Sequence, residues 1–182
     1  MVSLVDQAPD DFELEFGTPF GQAALFSSSH RGTFEYDASN SFLIIDFGRK
    51  TYYRGTPGAT YSLSNPISVV IDLGGDDIYG DEQHQAMPSA GVGLLGVGLV
   101  LDAKGNDHYY GSIYAQGTGL FGVGVLMDLT GKDKYQACLS AQGAGYFGIG
   151  ICLDALGDDT YYLYGDGQGM GGVGGGVGVC AS

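Results

Sequence analysis

Aspartate recurs at two fixed positions along this 182-residue chain, and repeated carboxylates are oxygen ligands of the kind that calcium prefers. The first position recurs at intervals of 26, 30, 26 and 26 residues, and the second follows it after five residues. The first column is Asp46, Asp72, Asp102, Asp128 and Asp154. The second column is Asp77, Asp107, Asp133 and Asp159, with Thr51 in the earliest copy. Stacked copies would bring these carboxylates together, so calcium is the cofactor that we expect. The candidate ligands are Asp72, Asp77, Asp102, Asp107, Asp128, Asp133, Asp154 and Asp159.

Other residue types keep the same register. A glycine stands three residues after the first aspartate in four of the five copies, and a tyrosine stands seven residues after it in all five. Four copies therefore read apolar-x-apolar-D-x-x-G-x-D-x-Y. The tyrosines are Tyr53, Tyr79, Tyr109, Tyr135 and Tyr161. A glycine-rich block, QGTGLFGVG at 116–124, returns as QGAGYFGIG at 142–150 and, with changes, as AGVGLLGVG at 90–98.

These repeats predict an all-β fold, a parallel β-solenoid (β-helix) with one coil per 26 residues. Short β-branched and aromatic runs separated by glycine indicate strands and turns, and each glycine in a helix would cost about 1 kcal/mol relative to alanine. One such unit cannot bury its own apolar face, whereas stacked copies can. The glycines would provide positive φ at corners or let backbones approach closely. The alternative is an antiparallel array of repeated β-hairpins.

The repeat does not cover the whole chain. Residues 1–40 lack it, and FELEF and GTFEYDA alternate as strands do, so we expect an N-terminal cap or divergent coils there. Residues 41–182 carry the solenoid repeats, with a four-residue insertion near 81–89 that explains the interval of 30. In the degraded final copy, Cys180 stands where the next aspartate would fall. An uncapped coil at this end would leave an open edge that invites self-association.

The turn segments resemble a known family of calcium-binding repeats. LGGDDIYG, AKGNDHYYG and LGDDTYY are similar to the G-G-x-G-x-D-x-U-x nonapeptide of RTX-type β-rolls. The resemblance implies calcium in the turns between coils, with the second-column aspartates as the motif aspartates and the tyrosines at the inward apolar position. The longer pattern QGxGxFGxGxLxDxxGxDxY resembles repeats in large uncharacterised bacterial proteins, and this resemblance implies no activity.

Each column also has a purely structural interpretation. An aspartate before a glycine turn accepts backbone N–H groups as an Asx-turn and needs no metal. The tyrosines form either a stacked core or a platform for a ligand. The G-x-G-x-x-G strings at 91–96, 117–122 and 143–148 follow the repeat and precede strands, so they indicate architecture and no dinucleotide site.

The acidic segment GDDIYGDEQH (75–84) is a second place where a metal could bind. It contains Asp76, Asp77, Asp81, Glu82 and His84, and the imidazole of His84 would be the one soft ligand. The alternative is a solvated acidic loop that interrupts the regular stack.

Composition excludes several partners. The net charge is −14, from 21 acidic residues against seven Lys and Arg, so nucleic acid and anionic membrane surfaces would be repelled. The longest apolar run, GVGLLGVGLVL, has 11 residues, whereas a membrane-spanning helix needs about 20, so we predict no transmembrane segment. The first residues show no secretion signal. We therefore expect an extracellular or cell-surface location only if a signal peptide was removed.

We expect a non-catalytic structural or surface-binding repeat protein that is calcium-stabilised, associates end to end through its C-terminal solenoid edge, and binds a glycan or other surface ligand. The alternative is a glycan-active enzyme or glycan-binding module that uses an acidic solenoid face. The only acids in the repeats that depart from the pattern lie at 81–82 and 166, and the only histidines are His30, His84 and His108. An ice-binding surface would need a regular threonine array, which the sequence lacks.

Overall fold

The computed structural model describes residues 11–28, 33–48, 50–82, 88–172 and 175–182, and these residues form strands and no helix. No helix that could span a bilayer is therefore present among them. The strands are β1 (Asp11–Thr18), β2 (Gly21–Ser28), β3 (Phe34–Asp37), β4 (Ser41–Asp46), β5 (Thr51–Arg54), β6 (Ile67–Asp72), β7 (Ile78–Tyr79), β8 (Val97–Asp102), β9 (His108–Tyr110), β10 (Gly119–Leu120), β11 (Val123–Asp128), β12 (Lys134–Ala137), β13 (Gly145–Tyr146), β14 (Ile149–Asp154), β15 (Thr160–Leu163) and β16 (Val177–Ala181).

Successive coils stack in parallel, so the predicted β-solenoid is confirmed and the hairpin array is not the arrangement. The large sheet has eight strands in the order β1-β2-β4-β6-β8-β11-β14-β16. The small sheet has six, in the order β3-β5-β7-β9-β12-β15, and β10 and β13 form a third, two-stranded side. Of the strand pairs in the described part of the chain, β1 with β2 is the antiparallel one.

The register between coils places like residues above like. Asp128 pairs with Asp102 on one side and Asp154 on the other. Tyr79 pairs with Tyr109 at a separation of 30 residues, whereas Ser89 pairs with Ala115 at a separation of 26. The four additional residues of this coil therefore lie between Tyr79 and Ser89. Of the acidic segment singled out above, His84 lies outside the described residues.

The two ends of the solenoid depart from the repeat. Near the N-terminus, β2 stacks on β4 and β3 stacks on β5, so residues 21–37 follow the coil path without the aspartate motif, and β1 lies at the edge of the large sheet. Near the C-terminus, Cys180 pairs with Cys152 at a separation of 28. Our placement of Cys180 in the aspartate column was therefore wrong. The glycine-rich final copy contains two more residues than the others.

The interior is thin and is filled differently along its length. Between the two large sheets, a column of aliphatic side chains from the large sheet packs with the tyrosines of the small sheet. Beside the two-stranded side, backbone packs directly on backbone. A Cβ atom built on Gly124 would lie 2.0 Å from the Thr118 carbonyl oxygen, and one on Gly150 would lie 2.0 Å from that of Ala144. The predicted use of glycine for close approach is confirmed at these positions.

We expect Gly124→Ala to destabilise the fold by about 3 kcal/mol, because neither the strand nor the facing carbonyl can move away without disturbing its neighbours. Chemical denaturation monitored by circular dichroism measures this loss. Gly17→Ala is the matched control, because its Cβ would meet only the flexible Gln22 side chain at 3.5 Å. Equal effects of the two substitutions would contradict the close-packing explanation.

Candidate metal centre: the aspartate ladder

The two aspartate columns meet at the corner between the large and small sheets. The first-column aspartates end the large-sheet strands, and we call them the strand-end aspartates. The second-column aspartates lie just before the small-sheet strands, and we call them the turn aspartates. All except Asp159 are at most 5% exposed. We call both columns together the aspartate ladder. It contains nine carboxyl groups, at Asp46, Asp72, Asp77, Asp102, Asp107, Asp128, Asp133, Asp154 and Asp159.

The strand-end aspartates are held by local backbone groups. Oδ1 of Asp72 accepts the Gly74 N–H at 3.0 Å, and Oδ1 of Asp102 accepts the Lys104 N–H at 3.2 Å. These bonds span two residues, as an Asx-turn requires. The Asx-turn geometry that the aspartate–glycine spacing predicts is therefore present.

The tyrosine hydroxyls lie between successive strand-end aspartates. The hydroxyl of Tyr53 is 2.7 Å from Oδ2 of Asp46 and 2.6 Å from Oδ2 of Asp72. The same bridging recurs at Tyr79 and Tyr109. One hydroxyl carries one proton and donates one such bond at a time. The second short contact is favourable only if the other carboxyl carries a proton or a cation lies nearby.

The tyrosine rings themselves form the stacked core that the sequence suggests. Neighbouring rings lie 4.5–4.8 Å apart and within 16° of parallel. Tyr53, Tyr79 and Tyr109 are fully buried, and Tyr135 is 1% exposed. A ligand cannot stack on these four rings, so the alternative of a ligand platform is wrong for them.

The turn aspartates link each coil to the one before it. Oδ1 of Asp77 accepts the Thr51 N–H at 2.5 Å, and Oδ1 of Asp107 accepts the Asp77 N–H at 2.6 Å. The pattern continues through Asp133 and Asp159 at 2.7 and 2.8 Å. The other oxygen, Oδ2, is buried without a hydrogen-bond partner at Asp77, Asp107 and Asp133. Such an oxygen is costly to bury unless a proton or a cation satisfies it.

The degenerate first copy shows what this position requires. Thr51 takes the place of a turn aspartate, and its hydroxyl donates to Oδ2 of Asp46 at 2.5 Å. This copy also lacks the glycine of the motif. In the regular copies, a Cβ atom on Gly131 would lie 2.5 Å from Oδ1 of Asp133. The glycine of G-x-D therefore makes room for the carboxyl group two residues later, and the two residues are lost together.

No lysine or arginine of the described part of the chain forms an ion pair with the ladder; Arg54 instead pairs with Glu35 on the surface. Burial, with the neighbouring carboxylate as a second cause, raises the pKa of Asp77 to about 10. Burial also raises the pKa of Asp107 to about 8 and that of Asp133 to about 7. Protons therefore neutralise much of the ladder near neutral pH when no cation is bound.

The carboxyl groups form three close clusters that together contain all eight predicted ligand residues. Within each cluster, one oxygen from every residue lies within 4.8 Å of the others. The clusters are Asp72–Asp77–Asp102, Asp102–Asp107–Asp128 and Asp133–Asp154–Asp159. Two oxygens bound to one calcium ion at 2.3–2.6 Å lie at most about 5 Å apart. The oxygen donors, their spacing and the partnerless Oδ2 atoms therefore fit calcium.

The second candidate site, the acidic segment at 75–84, does not stay together in the described residues. Asp77 turns inward to the ladder, whereas Asp76 is exposed and accepts hydrogen bonds from the backbone and side chain of Asn106. At the other end of the ladder, a cavity of about 430 Å³ is lined by Asp154, Asp159 and Tyr161, among others. A further copy of the motif would stack at this position.

In cation-free buffer, the folded chain should lose stability as the pH rises. The folded-state pKa values of Asp128, Asp133 and Asp107 are about 6, 7 and 8, and an unfolded aspartate titrates near 3.9. Because the folded state binds these protons more tightly, their contribution is complete below about pH 4 and is lost as the pH rises through about 6 to 8. We expect the Tm to fall by several degrees between about pH 5.5 and about pH 9; a constant Tm would contradict the analysis.

Asp107→Asn should remove part of this pH dependence. The amide oxygen keeps an acceptor for the Asp77 N–H, and the amide nitrogen supplies a donor in place of the carboxyl proton. Without a cation, we expect the variant to melt above the wild type near pH 9 and close to it near pH 5.5. Asp158→Asn removes the same charge from an exposed turn and is the matched control, for which we expect an unchanged pH dependence.

No protein-family model matches the chain, and neither the curated proteins nor the solved structures include a significant match.

Proposed function

We propose that this chain is a non-catalytic structural repeat module whose aspartate ladder takes up calcium in exchange for protons. The observation that carries this proposal is the set of partnerless carboxyl oxygens at Asp77, Asp107 and Asp133, buried beside other carboxylates with no basic side chain paired to them. A bound divalent cation would satisfy these oxygens and offset the mutual repulsion of the carboxylates.

Calcium would act as a clamp between coils. Each cluster combines aspartates from two neighbouring coils, and the cluster at Asp102, Asp107 and Asp128 is buried throughout. An ion held there would join the coils in addition to the backbone hydrogen bonds between strands. Metal ligands must be deprotonated, so binding would release the protons that otherwise neutralise the ladder.

A structural role agrees better with the burial of these acids than glycan hydrolysis does. A glycosidase needs two carboxyl groups about 5–9.5 Å apart that both reach the substrate. In the described residues, the close carboxyl groups are at most 5% exposed, apart from Asp159 at the C-terminal end. The acids that depart from the repeat, Asp81, Glu82 and Asp166, are not members of the close clusters.

We include end-to-end association in the proposal. Strand β16 pairs with β14 on one side only, and β15 pairs only with β12. These edges expose backbone groups that a strand from another subunit could pair with. Beside them, the cavity at Asp154 and Asp159 offers space for a further aspartate and tyrosine, so that the ladder would continue across the junction.

Calcium should raise the melting temperature relative to chelator at the same ionic strength near pH 7.5. At a calcium concentration 100 times Kd, the expected stabilisation is about 2.7 kcal/mol, or a rise of about 5–10 °C for a chain of this length. Magnesium should give a smaller shift, because it requires a tighter octahedral site and sheds water reluctantly. A melting curve that calcium leaves unchanged would remove calcium from the proposal.

The ladder is distinguished from the acidic surface by the same pair of variants used above. Asp107→Asn weakens the central cluster and should reduce the calcium-dependent shift, whereas Asp158→Asn should keep the wild-type shift. Proton release on calcium addition, followed in weakly buffered solution, provides a readout that nonspecific surface binding would not give. Equal shifts in both variants would place calcium outside the ladder.

A further inference from the structure

The outer face of the large sheet is apolar from one end of the repeat region to the other. Strands β4, β6, β8, β11, β14 and β16 alternate between residues packed in the interior and residues facing outward. The outward residues are Leu43, Ile45, Ile67, Val69, Ile71, Val97, Leu99, Leu101, Val123, Val125, Met127, Ile149, Ile151, Leu153, Val177, Val179 and Ala181. We call this surface the apolar face. It contains no polar or charged side chain.

This face lies open in the described structure. Val97 is 43% exposed, Ile149 is 42% exposed and Val177 is 54% exposed, although each has an in-register neighbour that shields part of it. Parallel sheets normally have both faces covered, and their strands then read as continuous apolar runs. The runs LII, VVI, LVL, VLM and ICL follow that pattern. The sequence is thus typical of a sheet covered on both sides, whereas the chain itself covers only one.

Two phenylalanines extend the apolar face along one border. Phe121 and Phe147 stack at 5.0 Å, are 59% and 55% exposed, and have left-handed φ values of 56° and 51°. A bulky residue in this region is strained by about 1–3 kcal/mol, and such strain persists where the side chain has a use. Gln116 and Gln142 share the left-handed backbone but are buried, with side-chain amides that donate to backbone carbonyls. The phenylalanines have no such internal role.

The properties of the face define its partner. The chain carries a net charge of −14, and none of this charge lies on the apolar face. A glycan partner needs hydrogen-bonding side chains, which this face lacks. A flat, uncharged, apolar sheet is complementary to another of the same kind, because sheets pack face to face at about 10 Å with their side chains interdigitated. A second copy of this chain presents such a surface.

We propose that two copies of the chain dimerise through the apolar face, with their large sheets packed against each other around a two-fold axis. Six strands at about 4.8 Å and five residues at about 3.3 Å give a footprint of roughly 450 Å² per copy, so a dimer would bury on the order of 1,000 Å². This area suits a reversible dimer in the micromolar range. The interface is independent of the aspartate ladder, so it neither requires calcium nor fails with it.

Val125→Lys tests the interface at its centre. The lysine would lie in solvent in the monomer but would bury an unpaired charge in the dimer. Sedimentation equilibrium should show wild type approaching twice the 18.9 kDa monomer mass at high micromolar concentration, and dimerisation of the variant weakened at least 30-fold. Tyr162→Lys is the matched control, because it places a lysine on an exposed strand position of the small sheet and should leave dimerisation unchanged.

A second variant guards against loss of folding. Val125→Thr with Ile151→Thr keeps the β-branched shape of both side chains and should weaken the dimer at least tenfold while retaining a cooperative melt. A wild type that stays monomeric, or a dimer that survives Val125→Lys, overturns the proposal. Monomeric wild type that sediments with neutral phosphatidylcholine vesicles would instead assign the face to lipid. Masses above the dimer that persist in Val125→Lys would indicate association through the strand edges and would also overturn it.

Discussion

The structure depends on how carboxyl groups are neutralised in the interior of a solenoid that repeats them at every coil. A buried carboxylate loses its hydration, and an in-register stack places the next one about 4.8 Å away. The chain offers no basic side chain to the ladder among its described residues. It offers instead backbone N–H groups, tyrosine hydroxyls and close carboxyl neighbours, which together require protons or cations to complete the network.

This requirement explains why the motif is preserved as a unit. The turn aspartate accepts an N–H from the previous coil, the tyrosine hydroxyl reaches strand-end aspartates of two coils, and the glycine leaves space for the carboxyl group. Changing one residue therefore disturbs both its own coil and the next. In a solenoid, where stability is close to a sum of coil and nearest-neighbour contributions, the ladder makes the neighbour contribution depend on pH and cations.

The exterior follows a different principle. Charge is concentrated on the turns and the small-sheet side, whereas the large sheet presents an uninterrupted apolar surface bordered by stacked phenylalanines. The interior ladder and the exterior face use alternate residues of the same strands: Leu126 and Asp128 point inward while Val125 and Met127 point outward. One short strand thus contributes to coil stability on one side and to association on the other.

The sequence by itself determined the period, the parallel solenoid and the two carboxyl columns, because like-on-like stacking follows from the repeat once a single unit is too small to bury its own apolar side. All eight candidate ligands found from the spacing lie in the three clusters. Three features were decided only by the tertiary structure. The partnerless oxygens depend on which atoms neighbouring coils bring within reach. The pairing of Cys180 with Cys152 depends on two additional residues in a glycine-rich copy whose side chains do not define a register. The open apolar face depends on what covers the sheet, since an apolar run specifies burial on both sides but cannot say which molecule provides the second cover.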